Sequence, residues 1–174
     1  MFIKILLFVI LLADWQIRTF TRAERCLLKE EICDCESEGI LCFIVCVNNN
    51  RSDFPFDELI KFCSKYQQYD VTIQLNNKNI QILKNHSFQN LTQVTDLNLK
   101  YNNIKRIDKY AFIGLVSLSK LDISNNNIEK ILSYSFFGLK ELNQMIIEKN
   151  NIKEVEENAF RYLNPLISLD ISYN

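Results

Sequence analysis

Residues Leu91–Gly114 read LTQVTDLNLKYNNIKRIDKYAFIG, Leu115–Gly138 read LVSLSKLDISNNNIEKILSYSFFG, and Leu139–Tyr162 read LKELNQMIIEKNNIKEVEENAFRY. They are three consecutive copies of one 24-residue unit. A fourth copy opens at Leu163 and runs half-way, to Asn174. Backwards, the same period gives a degenerate copy ending at Asn90, with Ile73, Leu75, Ile80, Leu83 and Phe88 in register. A fixed period of this length is the signature of a solenoid, in which each unit is one coil.

Each position of the unit has a physical reading. Leu97/Leu99, Leu121/Ile123, Met145/Ile147 and Leu169/Ile171 are spaced by two, the period of one face of a short strand. Asn102, Asn126, Asn150 and Asn174 follow at one phase. A carboxamide both donates and accepts, so asparagines stacked there can satisfy the backbone where the chain turns inward. Ile104/Ile107, Ile128/Ile131 and Ile152/Val155 then fill the interior, and Phe88, Phe112, Phe136 and Phe160 close the far side of each coil. No unit buries its own apolar face; stacking buries them jointly.

These residues resemble the leucine-rich repeat family, in its 24-residue extracellular subclass. The resemblance covers residues 67–174 and implies an α/β solenoid. Its short parallel strands would form a concave sheet, and its convex side would be irregular or 3-10. One departure is Lys78, which stands where the first repeat should carry its asparagine, between Asn77 and Asn79. The stacking interaction is expected to be weak or absent in that coil.

The chain carries 20 Lys and Arg against 21 Asp and Glu, so its formal charge is −1. Without a basic excess, nucleic acid and anionic membrane surfaces are unfavoured partners. Residues 1–23 begin with Lys4 and an apolar run, Ile5–Ala13. That run is far below the ~20 residues that cross a bilayer and reads as a secretory signal peptide, with cleavage after Ala13 or Ala23. No further apolar run is of spanning length, so no membrane segment is expected in this chain.

Residues 24–66 hold all the cysteines: Cys26, Cys33, Cys35, Cys42, Cys46 and Cys63. An even, clustered count after a signal peptide reads as a disulfide framework. The spacing over Cys26–Cys42 resembles the N-terminal cap of extracellular leucine-rich repeat proteins, and the layout is similar to arthropod-type secreted members and to the Slit and Toll-like repeat class. The family's alternating pattern implies Cys26–Cys35 and Cys33–Cys42, leaving Cys46–Cys63. Because Cys42 and Cys46 share a face of the expected strand Ile40–Val47, Cys33–Cys46 with Cys42–Cys63 stands as the alternative. A metal site is not expected: Cys33-x-Cys35 is not a zinc-knuckle spacing, and the one histidine, His86, is remote in sequence. Phe56–Tyr66 has helical spacing at Phe56, Leu59, Ile60 and Cys63, and Asp53 before Pro55 is a candidate start signal. The helix is expected to pack that face onto the cap.

Asn50, Asn85 and Asn90 open Asn-x-Ser/Thr sequons, which after a signal peptide are candidate glycan sites. The residues alternating with the strand leucines form outward columns on the concave side. From these Asp96, Asn98, Lys100, Tyr101, Lys120, Asp122, Ile146, Glu148, Asp170 and Tyr173 are the candidate ligand-binding set. The set is polar and mixed in sign, which favours a protein or glycan ligand. Nothing supports catalysis or a cofactor. There is no Gly-x-Ser-x-Gly, and Asp122 and Asp170 share a column on an open, wet sheet where no carboxyl pKa would rise. The expectation is a secreted, extracellular, glycosylated binding module or ectodomain that performs no chemistry. The alternatives are the N-terminal part of a Toll-like or adhesion transmembrane receptor, or a non-catalytic subunit of a secreted enzyme complex. Leu163, Leu166, Leu169 and Ile171 have no following coil in this sequence. That predicts a longer parent protein, or an end that a partner or second copy covers end to end.

Overall fold

The computed structural model describes the backbone of residues 26–28, 31–38 and 41–46. It describes residues 54–64 and 70–174 with their side chains, apart from that of Phe62. The expected signal peptide at 1–23, Asp53 and Asn50 lie outside the described residues, as do the side chains of Cys26, Cys33, Cys35, Cys42 and Cys46.

The described residues form a parallel-strand solenoid with little helix. One sheet of eight strands runs in the order β1 (Cys26–Leu28), β2 (Glu31–Glu38), β3 (Leu41–Cys46), β4 (Asp70–Gln74), β6 (Val94–Asn98), β8 (Lys120–Asp122), β10 (Gln144–Ile146) and β12 (Ser168–Asp170). β1, β2 and β3 pair antiparallel; from β3 onward every pairing is parallel. The parallel register is the sequence period itself: Leu97 lies beside Leu121, Leu121 beside Met145, and Met145 beside Leu169. On the opposite side of each coil, β5 (Ile82–Leu83) pairs with β7 (Arg106–Ile107), and β9 (Lys130–Ile131) with β11 (Glu154–Val155). Tight turns replace helices between these strands and the next coil.

Between the two strand layers lies one continuous core. Ile73, Leu75, Leu97, Leu99, Leu121, Ile123, Met145 and Ile147 come from the main sheet, and Leu83, Ile107 and Ile131 face them, all essentially inaccessible. Phe88, Phe112, Phe136 and Phe160 form a spine of stacked rings with centroid separations of 5.6, 5.7 and 5.5 Å. Val155, 49% exposed, departs from the expected interior position, and Ile152 is only partly buried.

Helix α1 (Phe56–Cys63) buries Leu59 and Cys63 completely. The Phe56 ring stands edge-on to Phe88 at 5.0 Å, and Phe54 stands edge-on to Phe56 at 4.9 Å. The helix therefore caps the phenylalanine spine and shares the core of the first coil. This extends the sequence expectation, in which its apolar face served the cysteine-rich segment. Gln93 adds a polar tie by donating from Nε2 to the Cys63 carbonyl at 2.9 Å.

The repeated asparagines stitch the coils. Asn126 Nδ2 lies 3.1, 3.0 and 3.1 Å from the carbonyls of Leu99, Ile123 and Ser124, and its Oδ1 accepts from Ile104 N at 3.0 Å. Asn150 repeats the pattern on Ile123, Ile147 and Glu148, accepting from Ile128 N. Asn174 donates to Ile147, Ile171 and Ser172. Asn102 donates to Leu75 and Leu99, and its Oδ1 accepts from both Lys78 N and Ile80 N. The turn at Lys78, which lacks its own asparagine, is thus held from the following coil.

Two glycines at one phase, Gly114 and Gly138, have φ of 105° and 103°, where side chains are strained. A Cβ on Gly114 would lie 2.6 Å from Phe88 O, whereas one on Gly138 would first meet Ile113 Cα at 3.2 Å. Replacing Gly114 by Ala is expected to destabilise by ~3 kcal/mol and Gly138→Ala by roughly 1–2 kcal/mol, measured by denaturant unfolding. Equal costs would contradict the tighter contact at Gly114. Asn126→Ala leaves buried carbonyls and one N–H without partners, and is expected to cost ~3 kcal/mol. Asn174→Ala, on an exposed residue, is expected to cost well under ~1 kcal/mol.

Candidate open-sheet binding face

The strand period sends alternate side chains away from the core, and the parallel register aligns them in columns. Thr72, Asp96, Lys120, Gln144 and Ser168 form one row; Gln74, Asn98, Asp122, Ile146 and Asp170 form the next. The first turn after each strand adds Lys100, Glu148 and Ser172. Ser124, at the same phase, is buried instead, and its hydroxyl donates to Asp122 Oδ1 at 2.6 Å.

The middle row is partly committed to holding the chain. Asn98 Oδ1 accepts from Lys100 N at 3.1 Å, Asp122 Oδ1 from Ser124 N at 3.0 Å, and Asp170 Oδ1 from Ser172 N at 3.0 Å. Each closes a turn on the residue two positions on, a local bond typical of Asn and Asp. The Ser172 N–H is also the first cause of the lowered pKa of Asp170. Asn98 further donates to Gln74 Oε1 at 2.7 Å. Ile146 has no oxygen to offer Glu148 N–H, so the fourth coil lacks this closure and presents an aliphatic side chain in this polar row. A shallow recess of about 170 Å³ lies on the same face, among Thr72, Gln74, Asp96, Lys100 and Lys120.

Along one margin run Asn77, Tyr101, Asn125, Lys149 and Tyr173, all in the left-handed region with φ of 60°, 55°, 53°, 51° and 56°. Their N–H groups bond across the coils: Asn77 to Lys100 O, Tyr101 to Ser124 O, Asn125 to Glu148 O and Lys149 to Ser172 O. The backbone is held and the side chains project. Tyr101 is 53% exposed and Tyr173 79% exposed. The Lys100 ammonium lies 5.8 Å from the Tyr101 ring, and the Lys149 ammonium 5.6 Å from the Tyr173 ring. Glu148 Oε1 accepts from Lys149 Nζ at 3.2 Å, the first cause of that lysine's raised pKa.

The candidate set Asp96, Asn98, Lys100, Tyr101, Lys120, Asp122, Ile146, Glu148, Asp170 and Tyr173 therefore lies on one face and its margin. Asn85 and Asn90 are exposed on the opposite flank of the first coil. The sequence reading missed a second surface, where Tyr110, Tyr134, Phe137 and Tyr162 pack ring to ring with centroids 5.2–6.4 Å apart. The recurrence of Tyr110 and Tyr134 at one phase was its available signal. Beside it, Lys130 bridges Glu154 and Glu156, each at 2.9 Å. Glu156 also accepts from Ser133 N at 2.8 Å, and this backbone bond, more than the ammonium, lowers its pKa to about 2.

Among the described residues no three acidic, histidine or cysteine side chains are grouped to hold a metal, and no helix is long and apolar enough to cross a membrane.

No curated protein matches the chain. Among solved structures, the crystal structure of a TLR13–ssRNA13 complex is similar at 34% sequence identity and a TM-score of 0.59. The similarity covers 70% of this chain and 16% of that one, so the chain spans a small part of that protein's length. The leucine rich repeat family profile matches residues 71–128 and 117–174, which together cover more than half of the sequence. The chain belongs to the leucine-rich repeat family.

Proposed function

We propose that the chain is an extracellular, non-catalytic binding module whose ligand is a protein, held on the open face of the parallel sheet. The observation that carries this reading is the break at Ile146. In a row where Asn98, Asp122 and Asp170 each close their own turn, the fourth coil substitutes an aliphatic side chain and gives up that closure. A solvated face gains nothing from this. A desolvated contact gains an apolar side chain with polar and charged residues around it, the layout of a protein interface. Tyr101 and Tyr173 at the margin are of the residue type that dominates such contacts.

The charges support a protein over a nucleic acid. Asp96, Asp122, Glu148 and Asp170 stand against Lys100, Lys120 and Lys149 on this face and its margin. A polyanion would meet net repulsion rather than the row of cations it needs. The similarity to part of TLR13 makes a Toll-like ectodomain piece the second reading, with the same face in the same role.

Secretion would make the cysteine-rich segment a disulfide cap. Cys33 stands opposite both Cys26 on β1 and Cys46 on β3, while Cys42 stands opposite Ser37, so of the two pairings the sequence left open for Cys33 the backbone register favours Cys46 over Cys42. Non-reducing peptide mapping is expected to recover a Cys33–Cys46 linked pair. Recovery of Cys33–Cys42 would overturn this pairing. Reduction of the intact cap is expected to lower the melting temperature by many degrees, since loss of a native disulfide costs ~2–5 kcal/mol.

The binding reading is tested by substitution. Ile146→Asp supplies the missing acceptor for Glu148 N–H, so the melting temperature is expected to hold or rise. Affinity for a partner recovered from the extracellular medium is expected to fall at least about tenfold. Tyr101→Ala with Tyr173→Ala is expected to weaken binding without unfolding. Unchanged affinity in both variants, with loss of binding on changing Tyr134 and Phe137, would place the contact on the other flank.

A further inference from the structure

The glycine column explains an exception at its head. Asn90, Gly114 and Gly138 occupy one phase, with φ of 64°, 105° and 103°. At Gly114 a Cβ would run into the preceding coil, at 2.6 Å from Phe88 O and 2.7 Å from Asn90 N. Asn90 has no repeat coil before it. It borders instead an open recess of about 550 Å³ between the first coil and α1. The room that the second coil denies to a side chain at Gly114 is present here.

Asn90, Leu91 and Thr92 form an Asn-x-Thr sequon. Leu91 is fully buried and anchors the segment, while Asn90 and Thr92 are both exposed and both line the recess. The facing wall is Asp57, Ile60, Lys61 and Ser64 of α1 and its last turn. These offer a carboxylate, an ammonium, a hydroxyl oxygen and one aliphatic surface, a mixture suited to a sugar with hydroxyl and acetamido groups. The volume lies within the roughly 300–1,000 Å³ of small-molecule sites. Asn85 differs: its sequon partner Ser87 is buried, with its hydroxyl donating to Lys84 O at 2.8 Å.

We infer that Asn90 carries an N-linked glycan whose first N-acetylglucosamine fills this recess and ties α1 to the first coil. The inference rests on the secretory reading above. In the transfer, the Asn90 amide nitrogen bonds to C1 of the sugar and loses one proton. The C1–O bond to a lipid-linked pyrophosphate donor breaks, and the lipid pyrophosphate leaves. The bound sugar then covers the outer side of the helix whose Phe56 closes the phenylalanine spine, so the modification stabilises the capped end.

The test uses the full chain expressed in a secretory line that makes high-mannose glycans. Endoglycosidase H leaves one N-acetylglucosamine on Asn, whereas peptide N-glycosidase F removes the whole glycan. The melting temperature and the resistance of α1 to trypsin at Lys61 are expected to survive the first enzyme. Both are expected to fall after the second, by several degrees for the melt. Thr92→Ala is expected to lose one glycan mass and melt like the fully stripped protein; Thr92→Ser, which keeps the sequon, is expected to match the wild type. Equal intact masses for the wild type and Thr92→Ala would overturn the inference, as would a glycan on Asn90 whose complete removal leaves melt and proteolysis unchanged. A chain retained in the cell with residues 1–23 attached and no glycan at Asn50, Asn85 or Asn90 would instead overturn the secretory reading itself.

Discussion

One carboxamide in each coil after the first holds this solenoid together. Its Nδ2 donates to carbonyls of its own coil and of the coil before, and its Oδ1 accepts N–H groups of that earlier coil. Inward-turning backbone would otherwise leave these groups buried without partners, each costing about 1–3 kcal/mol. A carboxylate could not replace the amide, because it has no N–H to give. The bonds also fix direction: each asparagine serves the turn behind it. For that reason the turn at Lys78 is ordered by Asn102, although it has no asparagine of its own.

Much of this was legible in the sequence, because a period of 24 residues turns one coil's physics into a pattern seen four times. The register Leu97–Leu121–Met145–Leu169, the asparagine phase and the phenylalanine phase all follow from repetition. Features set by contacts between phases were not legible. Burial of Ser124 depends on Asp122 accepting its hydroxyl, and nothing in a column of outward residues signals that. The aromatic patch joins three different phases, at Tyr110/Tyr134, Phe137 and Tyr162, so only one of them recurs visibly. The docking of Phe56 on Phe88 is likewise a contact between an unrepeated helix and the first coil.

Departures from the period are more informative about function than the period itself. A residue that follows the repeat is explained by the scaffold; one that breaks it needs another reason. Ile146 gives up a turn closure that Asn98, Asp122 and Asp170 keep, and Asn90 takes a position that the next two coils give to glycine. The two breaks lie on opposite flanks. One offers an apolar side chain on the open sheet, and the other borders a recess beside α1. On the proposed reading, recognition and reinforcement fall on separate surfaces, so that either could change without disturbing the other.

The margin of the sheet carries a restriction on its own evolution. Asn77, Tyr101, Asn125, Lys149 and Tyr173 sit where the backbone is left-handed. Branching at Cβ is strongly disfavoured in that conformation, whereas Asn is well tolerated. The margin can therefore draw on a shortened alphabet: long, aromatic or amide side chains, but not Val, Ile or Thr. Any partner that reads this edge meets flat rings, flexible cations and amides on a fixed pitch. New specificities at this edge would arise by reordering those few letters along the coils.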